Sequence, residues 1–359
     1  MKKKILFCIE QSTLAYKYFE DIIGELNKYP DYEIEIFNLA AHEAVNAHLA
    51  TLGNKVLTLS PGRSYKKQLF QIAKIIRKSR PDIIHAHESI PAFYAALALM
   101  VNFSSTKLIF HRHHSYYRDK TIHFMERLAF WRCNLAIAVS ATARQQAIDE
   151  HPGSKKKITY IHNGITLADS GMALPINMEI YKDRLIIILI AWLVGRKGHE
   201  TAIMAMDIVR QKIPEAVLFF AGDGPQKAKL QEMILERKLE QHVVLLGEVK
   251  NIHALLQRTD ISILPSEAEA FNLSILETMA AGKLSMASNI PSINECIQDG
   301  ETGVSVPVND PKVLADKLLF YLKNTTERER IAKNGYALYC REFTTSAMVK
   351  KFINTYNTL

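Results

Sequence analysis

Residues 185–199 read LIIILIAWLVGRKGH and decide the fold of this chain. The first six are all Ile or Leu, which is typical of a strand buried on both faces of a parallel sheet. The following turn contains Gly, Arg and Lys and leads into a helical pattern. Backbone N–H groups at such a turn suit a phosphate group, although on its own the segment is more simply a polar strand-to-helix turn.

The alternation of short apolar strands and helices continues on both sides of this segment. A cluster of Asp, Ser, Gly and Pro near residues 167–182 interrupts it once. The sequence therefore predicts two doubly wound α/β domains, with ligands bound at the carboxyl ends of the strands in the cleft between them. The predicted strands are Lys4–Ile9, Tyr32–Phe37, Asp82–Ala86, Lys107–His111, Leu135–Val139, Ile158–Ile161, Leu185–Ile190, Val217–Ala221, Val243–Leu246, Ile261–Leu264 and Leu284–Ala287.

The composition is that of a soluble globular chain. Its 359 residues are 48% hydrophobic and 23% charged, which is enough for two cores. The longest apolar run, residues 185–194, is half of the roughly 20 residues that a membrane-spanning helix needs. The four cysteines form no Cys-x-x-Cys pair, which indicates neither a disulfide framework nor a zinc ribbon and fits a reducing cytoplasm.

The basic excess lies in the first half of the chain. Residues 1–170 contain 23 Lys and Arg against 15 Asp and Glu, whereas residues 171–359 contain 22 of each. A solvated helix face and attraction to an anionic membrane or acidic acceptor both explain the densest part, and no nucleic-acid-binding motif accompanies it. That part comprises Arg63, Lys66, Lys67, Lys74, Arg77, Lys78 and Arg80.

Two further turns follow predicted strands. Residues 221–225 read AGDGP, which alone is ordinary turn chemistry. Residues 265–277 read PSEAEAFNLSILE, which places Glu269 in a loop and Glu277 in the first turn of the next helix, facing a ligand at the helix N-terminus. The alternative is a capping box without a ligand, because Ser274 and Glu277 have its spacing.

In this order and spacing the three segments resemble the retaining glycosyltransferases of family 4, which have the GT-B fold. That family carries a Gly-Arg-x4-Lys-Gly loop, a Gly-x-Gly-Pro turn and a Glu-x7-Glu segment followed by Met-Ala-x-Gly. Elements of the first half also match, and the resemblance covers nearly the whole chain. The matching stretches there are PDIIHAH at 81–87, Val139-Ser140 and HNGI at 162–165, with DGETG at 299–303 later.

The resemblance implies two Rossmann-like domains facing across a cleft. Residues 1–168 would form the acceptor-binding domain, residues 169–182 a linker and residues 183–340 the nucleotide-sugar-binding domain. Residues 341–359 would be a helix that returns to the N-terminal domain.

The resemblance also implies roles for single residues. Lys197 would neutralise the donor diphosphate, Glu277 would bind the ribose hydroxyls and Glu269 would contact the transferred sugar, as suits cations and carboxylate acceptors. His113 would contact that sugar near C6 and would join Lys197 and Glu269 as a catalytic residue. The donor-binding set is Lys197, Arg196, Gly224, Glu269, Phe271, Asn272, Leu273, Ser274 and Glu277.

On the acceptor side, the family's Gly-rich loop is replaced by Gln11, Ser12 and Thr13. His87 lies at a strand end nearby, and His114 takes the place of His113 if the register slips by one. A zinc site among the histidines lacks a carboxylate or Cys to complete a motif. We expect no metal and no cofactor, since Lys197 and a helix terminus can hold the leaving group's charge.

Trp192 stands where the family has Arg and Ala191 where it has Gly, while Asn272 replaces a common Gly. Losing that cation could cost on the order of several kcal/mol of leaving-group stabilisation, and Arg196 is a nearby substitute. The expected function is transfer of a hexose-type sugar, with retention, from a UDP-sugar to a glycan or lipid-linked acceptor in surface polysaccharide or lipopolysaccharide assembly. The expected place is the cytoplasm, at the inner face of its membrane. The alternatives are a same-fold sugar-nucleotide epimerase and a donor-binding scaffold protein.

Overall fold

The computed structural model describes residues 2–11, 17–40, 42–59, 65–113 and 120–359. They form two compact units, one of Met1–Gly164 with Thr345–Leu359 and the other of Ile165–Thr344. Each unit is built on a parallel sheet with helices between successive strands, which confirms the predicted α/β class. None of the described helices is long and apolar enough to cross a bilayer.

The first unit contains seven parallel strands in the order β3-β2-β1-β4-β5-β6-β7. Its strands and helices are β1 (Lys3–Ile9), α1 (Tyr18–Leu26), β2 (Tyr32–Asn38), α2 (Glu43–Ala50), β3 (Lys55–Thr58), α3 (Tyr65–Ser79), β4 (Ile83–His87), α4 (Ser89–Val101), β5 (Lys107–Arg112), α5 (Lys120–Arg132), β6 (Leu135–Ala138), α6 (Ala141–Glu150) and β7 (Ile158–Tyr160). Alternate residues of each strand point to opposite faces, so each face has its own core.

The second unit contains six parallel strands in the order β10-β9-β8-β11-β12-β13. Its elements are β8 (Leu185–Ile190), α7 (His199–Val209), β9 (Ala216–Ala221), α8 (Lys227–Glu236), β10 (Val243–Gly247), α9 (Ile252–Gln257), β11 (Ile261–Leu264), α10 (Leu273–Ala280), β12 (Leu284–Ser288), α11 (Pro291–Asn294), β13 (Val304–Val306), α12 (Pro311–Lys323) and α13 (Thr325–Leu338). The Ile and Leu run of β8 lies in the middle of this sheet, as its two-sided burial requires.

The strand order places three turns side by side. β8 pairs with β9 on one side and with β11 on the other, all in parallel. The carboxyl ends of the three strands therefore meet at one edge of the sheet, and each leads into one of the three segments singled out in the sequence.

The chain leaves the second unit after a short π-helix at Tyr339–Phe343 and forms α14 (Thr345–Thr358). This helix belongs to the first unit, where it packs against α1. The Tyr18 hydroxyl contacts the Met348 sulfur at 3.5 Å. Leu174 and Ile176, from the residues 169–182 predicted as a linker, pack against the sheet of the second unit.

Candidate functional site

Lys197 and Glu269 form the centre of the site in the second unit. The Lys197 Nζ lies 2.6 Å from Glu269 Oε1, and the two side chains are only 11% and 5% exposed. Arg196 is more exposed, donates from Nη1 to the Ala268 carbonyl at 3.1 Å and approaches Glu269 Oε2 at 3.8 Å. The turn after β8 and the loop after β11 thus bring two cations to one buried carboxylate.

Gly198 explains why these two segments can touch. It adopts a left-handed conformation with φ 73°, and a Cβ there would lie 2.0 Å from the Pro265 carbonyl oxygen. The Glu267 backbone N–H also donates to the Arg196 carbonyl at 2.8 Å. A residue without a side chain is therefore needed where the loop after β11 passes over the turn after β8.

Glu277 lies in the second turn of α10, not in the first turn as predicted. Asn272 caps the helix by accepting from the Ser274 N–H at 2.8 Å, and it also accepts from the Ser274 hydroxyl at 2.6 Å. The capping-box alternative is therefore wrong, because Asn272 is an equally good cap two residues earlier. No side chain among the described residues pairs with the Glu277 carboxyl, and desolvation raises its pKa to about 7.

The turn after β9 is tied to the turn after β8. The Leu193 N–H donates to the Asp223 carbonyl at 2.8 Å, and the Leu193 carbonyl accepts from Gln226 at 3.0 Å. A Cβ on Gly224 would lie 2.5 Å from Trp192 Nε1, so the indole occupies the space that a side chain would need. Trp192 is nevertheless 65% exposed, so much of its surface is open.

The remaining predicted residues of this unit lie around the same loop. Phe271 and Asn272 are buried, while Leu273 and Ser274 are partly exposed at the start of α10. Sequence reasoning gave no role to His199, which follows this turn and is buried at the start of α7. Burial, together with the charge of Lys197, lowers the pKa of His199 to about 4, so it is neutral at physiological pH.

In the first unit, four histidines from the ends of β4 and β5 stack on one another. His87 Nδ1 lies 2.8 Å from His113 Nε2, and His85 Nε2 lies 3.3 Å from His111 Nδ1. Tyr356 of α14 closes the stack with its hydroxyl 2.6 Å from His85 Nδ1. Desolvation first, and the neighbouring imidazoles next, lower the pKa values of His85, His87 and His111, so these three rings are neutral.

Gln11 is buried at the end of β1, where its N–H donates to Asn38 Oδ1 and its carbonyl accepts from Asn38 Nδ2, both at 2.9 Å. Ser12, Thr13 and His114 lie outside the described residues. Sequence reasoning missed Glu88, directly after His87, which has a left-handed φ of 75°. Such backbone strain concentrates at functional sites. Desolvation and, after it, the negative charge of Glu88 raise the pKa of Glu10.

Among the described residues of the first unit, two groups have ligand atoms close enough for a metal ion, all within 4.8 Å of one another. One group is His85, His87 and His111, in which both nitrogens of His85 already make hydrogen bonds. The other is Glu126, Glu150 and His151, in which Arg112 pairs with both carboxylates. Hydrogen bonds or ion pairs thus already engage some ligand atoms of each group, whereas His87 Nε2, His111 Nε2 and His151 Nε2 are buried without a hydrogen-bond partner among the described residues.

Two family models match the chain. The one described as Glycosyltransferase Family 4 matches residues 30–169, and the one described as Glycosyl transferases group 1 matches residues 175–338. Together they cover most of the sequence. The chain belongs to the family 4 glycosyltransferases, and it is an enzyme of that class.

Similar proteins agree with this assignment. Glycogen synthase from Mycobacterium tuberculosis (strain H37Rv) is 27% identical over 81% of this chain, and the match spans 73% of its own length. N-acetyl-alpha-D-glucosaminyl L-malate synthase from Bacillus anthracis is 23% identical over 80% of this chain and 77% of its own. Anabaena HepE, solved in complex with UDP and glucose, superposes with a TM-score of 0.85 at 20% identity, covering 99% of this chain and all of HepE. The fold is therefore GT-B.

Proposed function

We propose that this chain transfers a hexose-type sugar from a nucleotide sugar, with UDP as the nucleotide, and that the edge of the second sheet is its donor site. The observation that carries the proposal is the buried pair of Lys197 and Glu269, 2.6 Å apart at the ends of adjacent strands. A donor presents a diphosphate to the cation and sugar hydroxyls to the carboxylate, so one ligand satisfies both groups. HepE binds UDP and glucose, which supports the same donor class here.

The pairing suggests how the donor is accepted. The Lys197 ammonium is held by Glu269 and lies where an incoming diphosphate could replace that carboxylate as its partner. Glu269 would then accept hydrogen bonds from the transferred sugar, and Glu277 would accept from the ribose hydroxyls. The N–H groups at the start of α10 add the positive end of a helix to the phosphates.

Retention of the anomeric configuration is part of the proposal. The leaving phosphate, stabilised by Lys197 and the start of α10, would deprotonate the acceptor hydroxyl as the new bond forms on the same face. No bound metal is required for this step, because Lys197 and Arg196 supply the positive charge. His113 would contact the transferred sugar from the first unit.

The acceptor is proposed to be a glycan or lipid-linked sugar used in surface polysaccharide assembly. An O-antigen biosynthesis glycosyltransferase of Escherichia coli is 28% identical over 58% of this chain, which supports this class of acceptor. Gln11, His87 and the strained Glu88 lie at the strand ends of the first unit, where the acceptor would bind.

A thermal-shift panel of nucleotide sugars tests the donor site, since a ligand that binds only the folded state raises the melting temperature. Lys197→Met should abolish the shift. Lys229→Met is the matched control, because Lys229 is an exposed lysine of the same unit paired with Glu200. If no nucleotide sugar raises the melting temperature of the wild type, the donor assignment is wrong. Turnover in EDTA, followed by the anomeric proton signal of the product, tests metal independence and retention.

A further inference from the structure

The outer surface of α3, α4 and α5 carries cations and exposed apolar side chains but no exposed acid. α3 and α4 contain no Asp or Glu, and the one acidic residue of α5, Glu126, is buried. α4 packs against α3 on one side and against α5 on the other, so the three helices form one continuous layer. We call the solvent side of this layer the α3–α5 surface.

Large apolar side chains are exposed along this layer. They are Phe70, Met100, Val101, Phe103, Phe124 and Trp131, each between 38% and 97% exposed. Exposed basic residues lie on the same helices, namely Lys74, Arg77, Lys78, Lys120 and Arg127. Single exposed apolar residues are normal in soluble proteins, but several on one layer among cations indicate an interaction surface.

Phe103 is the most informative residue of the surface. Its side chain is 97% exposed, and its backbone has a left-handed φ of 47°. Gly or Asn would close such a turn more easily, and the ring gains almost no packing within the unit. Packing within the unit therefore does not explain a Phe at this position.

The turn that carries Phe103 is held rigidly. Asn102 Nδ2 donates to the Ala73 carbonyl of α3 at 2.8 Å, and Arg132 Nη2 of α5 donates to the Ser104 carbonyl at 2.9 Å. Both neighbouring helices thus fix the turn at the end of α4. The backbone that carries the aromatic ring is thus held in place, so little backbone conformational freedom is lost when the ring inserts into a partner.

We propose that the α3–α5 surface docks on an anionic lipid bilayer, with Phe103 entering the boundary between headgroups and acyl chains. The mixture of residues favours lipid over protein, because protein interfaces are depleted in Lys while membrane-surface helices combine Lys and Arg with Phe and Trp. The cations meet lipid phosphates, and no exposed carboxylate on these helices is repelled by them. The inference concerns the first unit alone and stands whether or not the proposed donor site is correct.

Flotation of the purified full chain with phosphatidylcholine vesicles, with and without phosphatidylglycerol, tests the proposal. We expect binding only to the anionic vesicles and loss of binding at high salt. Lys74→Glu should weaken partitioning about thirtyfold, since each basic residue contributes about a factor of five and its charge is reversed. Lys333→Glu, an exposed lysine of the second unit, makes the same charge change and should have little effect.

Phe103→Asn separates insertion from charge. Asn tolerates the left-handed turn, so the variant should keep the wild-type melting temperature while losing roughly tenfold or more in partitioning. Phe320→Asn, at an exposed Phe of α12, is the control. Wild-type protein that ignores anionic vesicles overturns the proposal, as does a folded Phe103→Asn variant that binds them undiminished. Equal binding to both vesicle types also overturns it.

Discussion

Glu277 gives the most direct test of the proposed donor site. Its carboxyl is partly buried in the second turn of α10, and desolvation raises its pKa from 4.5 to about 7. The folded chain therefore binds a proton that the unfolded chain releases above pH 4.5. Stability should be unaffected by this group at low pH, fall as the pH rises from 4.5 to about 7, and stay lowered above that.

The size of this effect follows from the pKa difference. At about 1.4 kcal/mol per pH unit, the shift corresponds to about 3 kcal/mol of lost unfolding free energy at pH 8. Glu277→Gln keeps the shape of the side chain and removes the titration. The variant should match the wild type near pH 4 and exceed its stability by up to about 3 kcal/mol at pH 8.

Urea unfolding of both proteins across that pH range measures the difference. The control is Glu232→Gln, an exposed position on α8, which should leave the pH slope unchanged. Binding of a nucleotide sugar supplies a second readout, because ribose hydroxyls are best held by the ionised carboxylate. Calorimetry near pH 6.5 should then detect proton release on binding by the wild type and less release by Glu277→Gln.

Two results would refute this reasoning. If the wild type and Glu277→Gln show the same pH dependence of unfolding, the Glu277 carboxyl is not desolvated in the way its surroundings indicate. If the stability difference appears but the donor binds both proteins with equal affinity and equal proton release, Glu277 does not contact the ribose.

Two other substitutions test how the site is assembled. Gly198→Ala should lower the unfolding free energy by about 2 kcal/mol or more and weaken donor binding, because its Cβ would collide with the loop after β11. In thermal melts, Gly282→Ala is the control for the backbone cost alone, since Gly282 has a φ of 66° and open space around it. His87→Phe should reduce turnover while leaving the Michaelis constant for the donor nearly unchanged, because it removes the hydrogen bond that orients His113. His87→Asn places an amide near the lost Nδ1 and should restore much of the turnover. Equal losses of turnover in both variants would contradict this positioning role.

The overall architecture was predictable because its determinants are local. The two-sided Ile and Leu run of β8 requires a central parallel strand, and turns with Gly after strands require their carboxyl ends to lie at one edge. Pairing of β8 with both β9 and β11 then follows from the doubly wound order. For this reason Lys197 and Glu269 could be predicted to meet although 72 positions separate them.

The prediction that failed, the position of the cap of α10, depends on a choice between two residues with nearly equal capping preference. Ser274 and Asn272 are both good caps, and in the structure Asn272 caps α10. One consequence is that the carboxyl of Glu277 is released from a capping role. A sequence pattern cannot rank two such caps, because their intrinsic preferences are nearly equal.

The histidine stack could not be predicted, because it depends on the register of the first sheet and on a helix that is distant in the sequence. The alternation of β4 places His85 and His87 on one face, but the register between β4 and β5 is what sets His87 opposite His111. Tyr356 arrives from α14, 271 positions away from His85. No local sequence pattern indicates such a contact, so the stack and the neutral state of its buried histidines could be found only in the structure.

Trp192 bears on how the site balances its charge. The resemblance to family 4 places an Arg at this position, so in the proposed donor site the residues after β8 would supply only Arg196 and Lys197, and Glu269 already opposes both. A second ionised carboxylate at this edge would further reduce attraction for a diphosphate. The raised pKa of Glu277 leaves that group partly protonated near neutral pH, which would limit repulsion of an approaching donor in the proposed site. The same property would then allow Glu277 to lose its proton once the ribose hydroxyls of the proposed donor are in place. The proposed donor site, with one cation fewer than the family pattern, would thus remain compatible with diphosphate binding because desolvation keeps Glu277 partly protonated.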